Sequence, residues 1–251
     1  MNSQSTFKAK TVRWPMMVSI YAAQLTTAKV VITGVGPKGL GETLSTTIAK
    51  HAPNRLVLAS RTRSKVEDVA QVILKSSPKL RVDIVVLDLS SQDSVRHAAE
   101  EICGLVERID ILINNAAVMD PEHHRTKEGI ELLFGTNHIG HFLFTNLLMP
   151  KLKAAAQKSP NGSTRIVNVT SQGHRLSPIR FHDYNFEGKP IPEEEQPPKT
   201  AGMFMPKDGA TYSGFLAYGQ CKTANILFSL SLTQRLHNLG IRSYAVHPGC
   251  E

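Results

Sequence analysis

Tyr218 and Lys222 stand four residues apart in Leu216-Ala217-Tyr218-Gly219-Gln220-Cys221-Lys222, and apolar residues follow at helical spacing: Ala224, Leu227, Phe228 and Leu232. On a helix that spacing puts phenol and ammonium on one face, roughly 5–6 Å apart at Cβ. A positive charge there favours the phenolate, so a tyrosine tuned in this way can pass a proton near neutral pH. The pair by itself is common on amphipathic helices. Its meaning depends on the elements that would hold a second reactant against it.

Those elements begin upstream, where the β-branched run Lys29-Val30-Val31-Ile32-Thr33 breaks into Gly34, Gly36, Gly39 and Gly41 and then into Glu42-Thr43-Leu44-Ser45-Thr46-Thr47-Ile48-Ala49. The pattern predicts a strand, a tight turn and a helix. Glycines permit the turn and let the backbone approach a pyrophosphate, while free amides and the dipole at the helix start attract its charge. The candidate cofactor contacts here are Thr33, Gly34, Gly36, Gly39, Leu40 and Gly41.

With these residues in place the chain resembles the short-chain dehydrogenase/reductase family. Its Thr-Gly-x-x-x-Gly-x-Gly turn appears as Thr33, Gly34, Gly39 and Gly41, with one additional residue between the first two glycines. Further matches follow in the family's order: Asp88 after a strand, Asn114-Asn115-Ala116-Ala117 where Asn-Asn-Ala-Gly is usual, Asn137, Ser171, Tyr218 with Lys222, and Pro248-Gly249. The resemblance spans residues 28 to 251, and the segment from Phe134 to Phe142 is most similar to the retinol-dehydrogenase-like branch, including its relatives in filamentous fungi.

The resemblance implies roles residue by residue. Tyr218 is the general acid in carbonyl reduction and the general base in alcohol oxidation, a transfer that contributes about 10²–10⁴-fold. Lys222 lowers the pKa of Tyr218 and holds the nicotinamide ribose, Ser171 hydrogen-bonds the substrate oxygen as charge develops there, and Asn137 helps fix a water that relays protons through Lys222. Asp88 sits near the adenine, Asn115 and Ala116 lie in the nicotinamide-side wall, and Pro248-Gly249 contributes backbone to the cofactor site. The implied reaction interconverts a carbonyl and an alcohol on a small, moderately apolar substrate, with a specialised metabolite suggested by analogy.

Cofactor choice turns on the end of the second strand, Leu56-Val57-Leu58-Ala59-Ser60-Arg61-Thr62-Arg63. A carboxylate there would bind a ribose 2′-hydroxyl, whereas a basic residue accommodates a 2′-phosphate. Ser60 occupies the acidic slot and Arg61 follows it, with Arg63 a second candidate. This favours NADP over NAD.

Alternating strand and helix patterns predict an α/β fold, a Rossmann-type doubly wound parallel sheet covered on both faces. Six strands are read at 30–33, 55–59, 82–87, 109–113, 165–169 and 242–246, with helices near 41–50, 63–75, 91–106, 127–155 and 214–239. Residues 1–28 form an N-terminal extension and residues 29–251 one dinucleotide-binding catalytic domain. Lys8, Lys10 and Arg13 precede the apolar patch from Trp14 to Leu25, a composition also found in targeting peptides, but the reading favours a poorly ordered extension and a cytoplasmic location. Residues 187–213, with five prolines around Glu193-Glu194-Glu195, are too proline-rich for regular structure and too polar for core. They form a surface loop at the mouth of the site.

In the family a further strand and helix follow the Pro-Gly turn, contacting the nicotinamide and forming part of the substrate lid, whereas this sequence runs to Glu251. The sixth strand is therefore expected to be an exposed edge. An alternative follows: a truncated, weakly active or non-catalytic dinucleotide-binding protein.

Several classes are disfavoured. The net charge of +8, from 29 basic and 21 acidic residues, is scattered and aromatics make up only 6%, which argues against nucleic acid. Val169, two before Ser171, breaks the Gly-x-Ser-x-Gly elbow of a serine hydrolase. No His-Glu-x-x-His or Cys/His cluster accompanies His123-His124 or His138 with His141, which read as ordinary packed or exposed histidines. Cys103, Cys221 and Cys250 form no paired framework and imply a reducing compartment. No stretch reaches the roughly 18–20 apolar residues that cross a bilayer. The expected partners are a small-molecule substrate and a second copy of the chain, docked through the helices near 127–155 and 214–239.

Overall fold

The computed structural model describes residues 25–206 and 210–249. Six parallel strands make one sheet in the order β3-β2-β1-β4-β5-β6. They are β1 (Lys29–Thr33), β2 (Arg55–Ser60), β3 (Val82–Val86), β4 (Ile111–Asn114), β5 (Thr164–Val169) and β6 (Ile241–Val246). The helices are α1 (Leu40–Ala49), α2 (Arg63–Ser76), α3 (Gln92–Leu105), α4 (His141–Ala156) and α5 (Gly214–Leu236).

Every residue of β1 is buried, as a central parallel strand covered on both faces requires. Its side chains alternate between two cores. Val30 and Ile32, with Leu56 and Leu58 of β2, pack against Leu44, Ile48, Val66, Val69 and Ile73 of α1 and α2. Val31, Val57 and Ile166 face Val95 and Ile102 of α3, Phe144 and Leu148 of α4, and Phe228 and Leu232 of α5. Strand order reverses between β1 and β4, and a doubly wound sheet binds its ligand at such a switch point, outside the carboxyl ends of the strands.

Element ends agree with the sequence reading to within three residues except at three places. Of the expected extension, residues 1–24 lie outside the described residues, but Leu25 and Ala28 are buried in the core under α1. Their apolar side chains belong to the folded unit. The helix expected from 127 begins at Leu132, because residues 125–131 form a tight turn around Gly129 at φ 79°. Glu131 then caps the helix, its carboxylate accepting the Leu133 and Phe134 amides at 2.9 and 2.7 Å. Between Phe134 and His141 the helix widens into a π-helical segment, Gly135–Gly140. Such segments occur often at functional sites.

The third departure is the proline-rich stretch. It contains two short 3₁₀ helices, Glu193–Glu195 and Lys199–Phe204. Phe186, just ahead of it, and Ala201 within it are buried in a third apolar cluster with Leu133, Leu216 and Cys221. Polar residues are bolted in as well. Buried Glu195 accepts the His182 backbone amide at 3.0 Å and meets His182 Nδ1 at 2.7 Å, and Asp183 binds Arg180 at 2.8 Å and the Glu187 amide at 2.7 Å. Among the described residues no helix is long and apolar enough to cross a membrane.

Candidate active site

The turn after β1 is built by close approach. Gly34 sits at φ 74°, and a Cβ there would overlap Ala116 from the loop after β4. A Cβ on Gly41 would run into the Gly34 carbonyl, so α1 starts flush against the turn. The outward side is open: no atom lies within 4 Å of a Cβ position at Gly36, and at Gly39 the nearest is the Gly36 carbonyl oxygen at 3.5 Å. That cradle, facing the amides that open α1, has room and donors for a diphosphate. The residues present therefore fit a dinucleotide.

At the end of β2, half-buried Ser60 and exposed Arg61 border the same cleft. Arg63 does not; its guanidinium lies 3.7 Å from Glu67 on α2. Lys65 borders the cleft instead. It is a second basic group at the slot, and the sequence reading missed it because its position depends on where α2 begins. Asp88 lies across from them, its carboxylate accepting the Ser90 amide at 2.9 Å and hydroxyl at 2.6 Å.

Ser171, two residues past β5, caps a 3₁₀ turn, Gln172–Leu176, its hydroxyl accepting the Gly173 amide at 3.2 Å. Gly173 lies under the Tyr218 ring, where a Cβ would meet Cδ1 at 3.2 Å. Tyr218 and Ser171 are hydrogen-bonded, and Lys222 Nζ stands 5.1 Å from the Tyr218 ring centre. The Lys222 ammonium donates to the Val169 carbonyl at 3.0 Å and is almost wholly buried.

Electrostatics here correct the sequence expectation. Burial raises the Tyr218 pKa, the neighbouring Cys221 adds to the rise, and the Ser171 hydrogen bond opposes it. The i,i+4 argument weighed the charge of Lys222 and omitted the desolvation of the phenol, which is the larger effect. Lys222 itself is pushed down to about 8 by burial.

These elements enclose a cleft of about 770 Å³ along the carboxyl ends of the strands. Besides Arg63, every predicted site residue borders it, Pro248 and Gly249 included, with one exception. Asn137 lies behind the wall, fully buried, its amide donating to the Val118 carbonyl at 2.8 Å and its side-chain oxygen accepting the Val118 amide at 2.7 Å. Val118 thus engages one N–H and the oxygen of that side chain, which fixes its orientation behind the wall. The Asn115 side chain is also turned inward, donating to the carbonyls of Thr33 and Gly34 at 2.9 and 3.2 Å.

The family model for short chain dehydrogenase matches residues 28–185. The chain belongs to the short-chain dehydrogenase family. The family is one of nicotinamide-dinucleotide oxidoreductases, in keeping with the cradle and the Tyr218–Lys222 helix. Over 222 residues this short-chain dehydrogenase is 34% identical to oxidoreductase fscI of Fusarium equiseti, covering 87% of its own length and 85% of that protein. It is 37% identical to mouse retinol dehydrogenase 13 over 88% of its own length, but spans only 57% of that relative. Among solved structures, an uncharacterized protein from Mycobacterium paratuberculosis superposes with a TM-score of 0.67 at 32% identity, over 91% of this chain and 71% of that one. A metagenomic short-chain oxidoreductase solved in complex with NADP shares the fold, at TM-score 0.63 and 21% identity, over 91% of this chain and 84% of that one.

Proposed function

We propose that this short-chain dehydrogenase uses NADP to interconvert a carbonyl and an alcohol on a small, moderately apolar substrate. One observation carries the reading: Ser171, Tyr218 and Lys222 converge on the end of a cleft whose other end offers Arg61 and Lys65, with Ser60 in place of a carboxylate at the end of β2 and Asp68 also in the lining. When bound, the nicotinamide supplies the hydride, and the chain supplies the rest. Val118 and Leu132 give the wall beside Tyr218 an apolar character suited to such a substrate. The specialised-metabolism setting rests on the resemblance of the Phe134–Phe142 segment to fungal relatives.

In reduction, Tyr218 Oη gives its proton to the substrate oxygen, and its raised pKa keeps that proton in place at neutral pH. Ser171 Oγ hydrogen-bonds the same oxygen as negative charge grows on it. The Lys222 ammonium adds positive charge to this corner and holds the nicotinamide ribose. Asn137 is a positioning residue, keeping Val118 in the wall. Asp88 lies toward the adenine, and Asn115, Ala116, Pro248 and Gly249 border the nicotinamide end. An NADPH-consumption assay over a panel of ketones and aldehydes tests the reading, and inactivity of folded protein on all of them counts against it.

Selectivity for NADPH is assigned to Arg61 together with Lys65. Arg61→Ala should weaken NADPH binding about ten- to a hundredfold, the worth of a charge-assisted hydrogen bond, and leave NADH affinity nearly unchanged. Equal losses for both cofactors in a fluorescence titration would remove Arg61 from the 2′-phosphate site.

We also propose a homodimer through the outer faces of α4 and α5, where Phe142, Leu227 and Leu230 are exposed and the Phe142 ring packs at a tilt against Phe228, 5.3 Å between centres. Apolar groups concentrated on one face mark an association surface. Sedimentation should find a dimer that Leu227→Glu with Leu230→Glu dissociates; an unchanged distribution would place the contact elsewhere.

A further inference from the structure

His141 opens α4 and is 2% exposed, although the spacing of histidines in the sequence gave it no role. Its Nε2 lies 2.8 Å from Thr33 Oγ1 at the end of β1, and its Nδ1 lies 3.2 Å from the Asn137 carbonyl oxygen. The donor and acceptor inventory at Thr33 decides which nitrogen carries the proton. A threonine hydroxyl has one proton and two acceptor lone pairs. Thr33 Oγ1 accepts the Asn115 amide at 3.0 Å and the Ala116 amide at 3.1 Å, which fills both lone pairs. Its proton must then be donated, and His141 Nε2 at 2.8 Å is much nearer than the alternative, the Ile113 carbonyl at 3.5 Å. Nε2 is therefore the acceptor, and Nδ1–H donates to Asn137.

We infer that His141 is a positioning residue: a neutral imidazole, protonated at Nδ1, that fixes the nicotinamide-side wall of the cleft to the dinucleotide turn. The chain of bonds runs from Asn115 to Val118 along that wall. Thr33 holds the amides of Asn115 and Ala116, Ala116 lies flush against Gly34, His141 joins Thr33 to the π-helical segment at Asn137, and Asn137 holds Val118 from both sides. A charged imidazole could not accept from Thr33. Burial and the nearby Lys222 and His138 hold the ring neutral, pushing its pKa down to about 3.

The kinetic consequence rests on the proposed reductase reading, whereas the tautomer does not. Two measurements therefore separate them. Long-range ¹H–¹⁵N spectra of the full chain should show the His141 ring neutral from mildly acidic to neutral pH with its proton on Nδ1, and Thr33→Val should redistribute that proton toward Nε2. An Nε2–H tautomer in the unsubstituted protein, or titration near the ordinary histidine value, overturns the inference whether or not any turnover is found. In assays with NADPH, His141→Phe should lower kcat about ten- to a hundredfold, the usual result of a small misplacement of reacting groups, with the KM for NADPH within about threefold of the starting value. His141→Gln, which can still accept from Thr33, should recover part of the loss. A folded His141→Phe protein with unchanged kcat, or with the whole loss in the KM for NADPH, shows that the imidazole only fills space.

Discussion

Replacing Lys222 by methionine is expected to make the protein more stable and catalytically dead. The ammonium is buried against a neutral acceptor, the Val169 carbonyl, and its pKa falls from 10.5 to about 8. The folded state thus disfavours the charged form. Below pH 8 that penalty is fully present, at about 3 kcal/mol; it fades as pH rises from about 8 to 10.5, because in that window the unfolded chain binds a proton that the folded chain has released. Methionine removes the charge, keeps the length and fills the same apolar volume, at the loss of one hydrogen bond worth about 1 kcal/mol. The net gain expected near neutral pH is about 2 kcal/mol, with turnover lost because ribose and phenol lose their cation. Denaturant titrations of both proteins at several pH values check this. The unsubstituted protein should gain stability through the window and Lys222→Met should not; a destabilised variant would mean that the ammonium is well solvated.

Tyr218→Phe should abolish turnover, by about 10²–10⁴-fold, and leave NADPH affinity nearly intact. The ring remains to pack over Gly173, and the missing group is the proton donor that Ser171 contacts. Because burial raises the phenol's pKa, the proton is held at neutral pH, and reduction should outrun oxidation there. Oxidation, which needs the phenolate, should accelerate as pH rises. Single-turnover measurements in both directions test the assignment. A variant that turns over at near-normal rate would remove Tyr218 from the chemistry, and a variant that also fails to bind NADPH would give it a binding role instead.

What could be read from the residue order was whatever acts over short distances. The β1 turn is local: β-branched residues, then glycines, then helix formers, so its placement and its open outer side were legible. The Tyr218–Lys222 spacing was legible for the same reason. The raised Tyr218 pKa was not, because desolvation comes from cluster partners such as Leu132 and Ile130, far away in sequence. The π-helical widening at Gly135–Gly140 escaped a search that assumes a period of 3.6. Glu195 lay in a stretch read as too polar for core, and only its partner His182 makes it an interior group. His141 shows the same limit from the other side, since its partner Thr33 lies 108 positions away.

The proline-rich stretch has the construction of an exchangeable cassette. Taken with residues 180–186 it keeps most of its ion pairs to itself, and it is moored to the rest of the protein by Glu187, which meets Arg125 at 2.8 Å, and by the Tyr212 hydroxyl, which donates to Glu131 at 3.0 Å. Substitutions on its outer face can accumulate without disturbing the turn that receives the dinucleotide. No described residue of the stretch borders the cleft, and Glu195 and Ala201 are buried, so a laboratory library that spares those two would vary the molecular surface while the cofactor chemistry stays fixed.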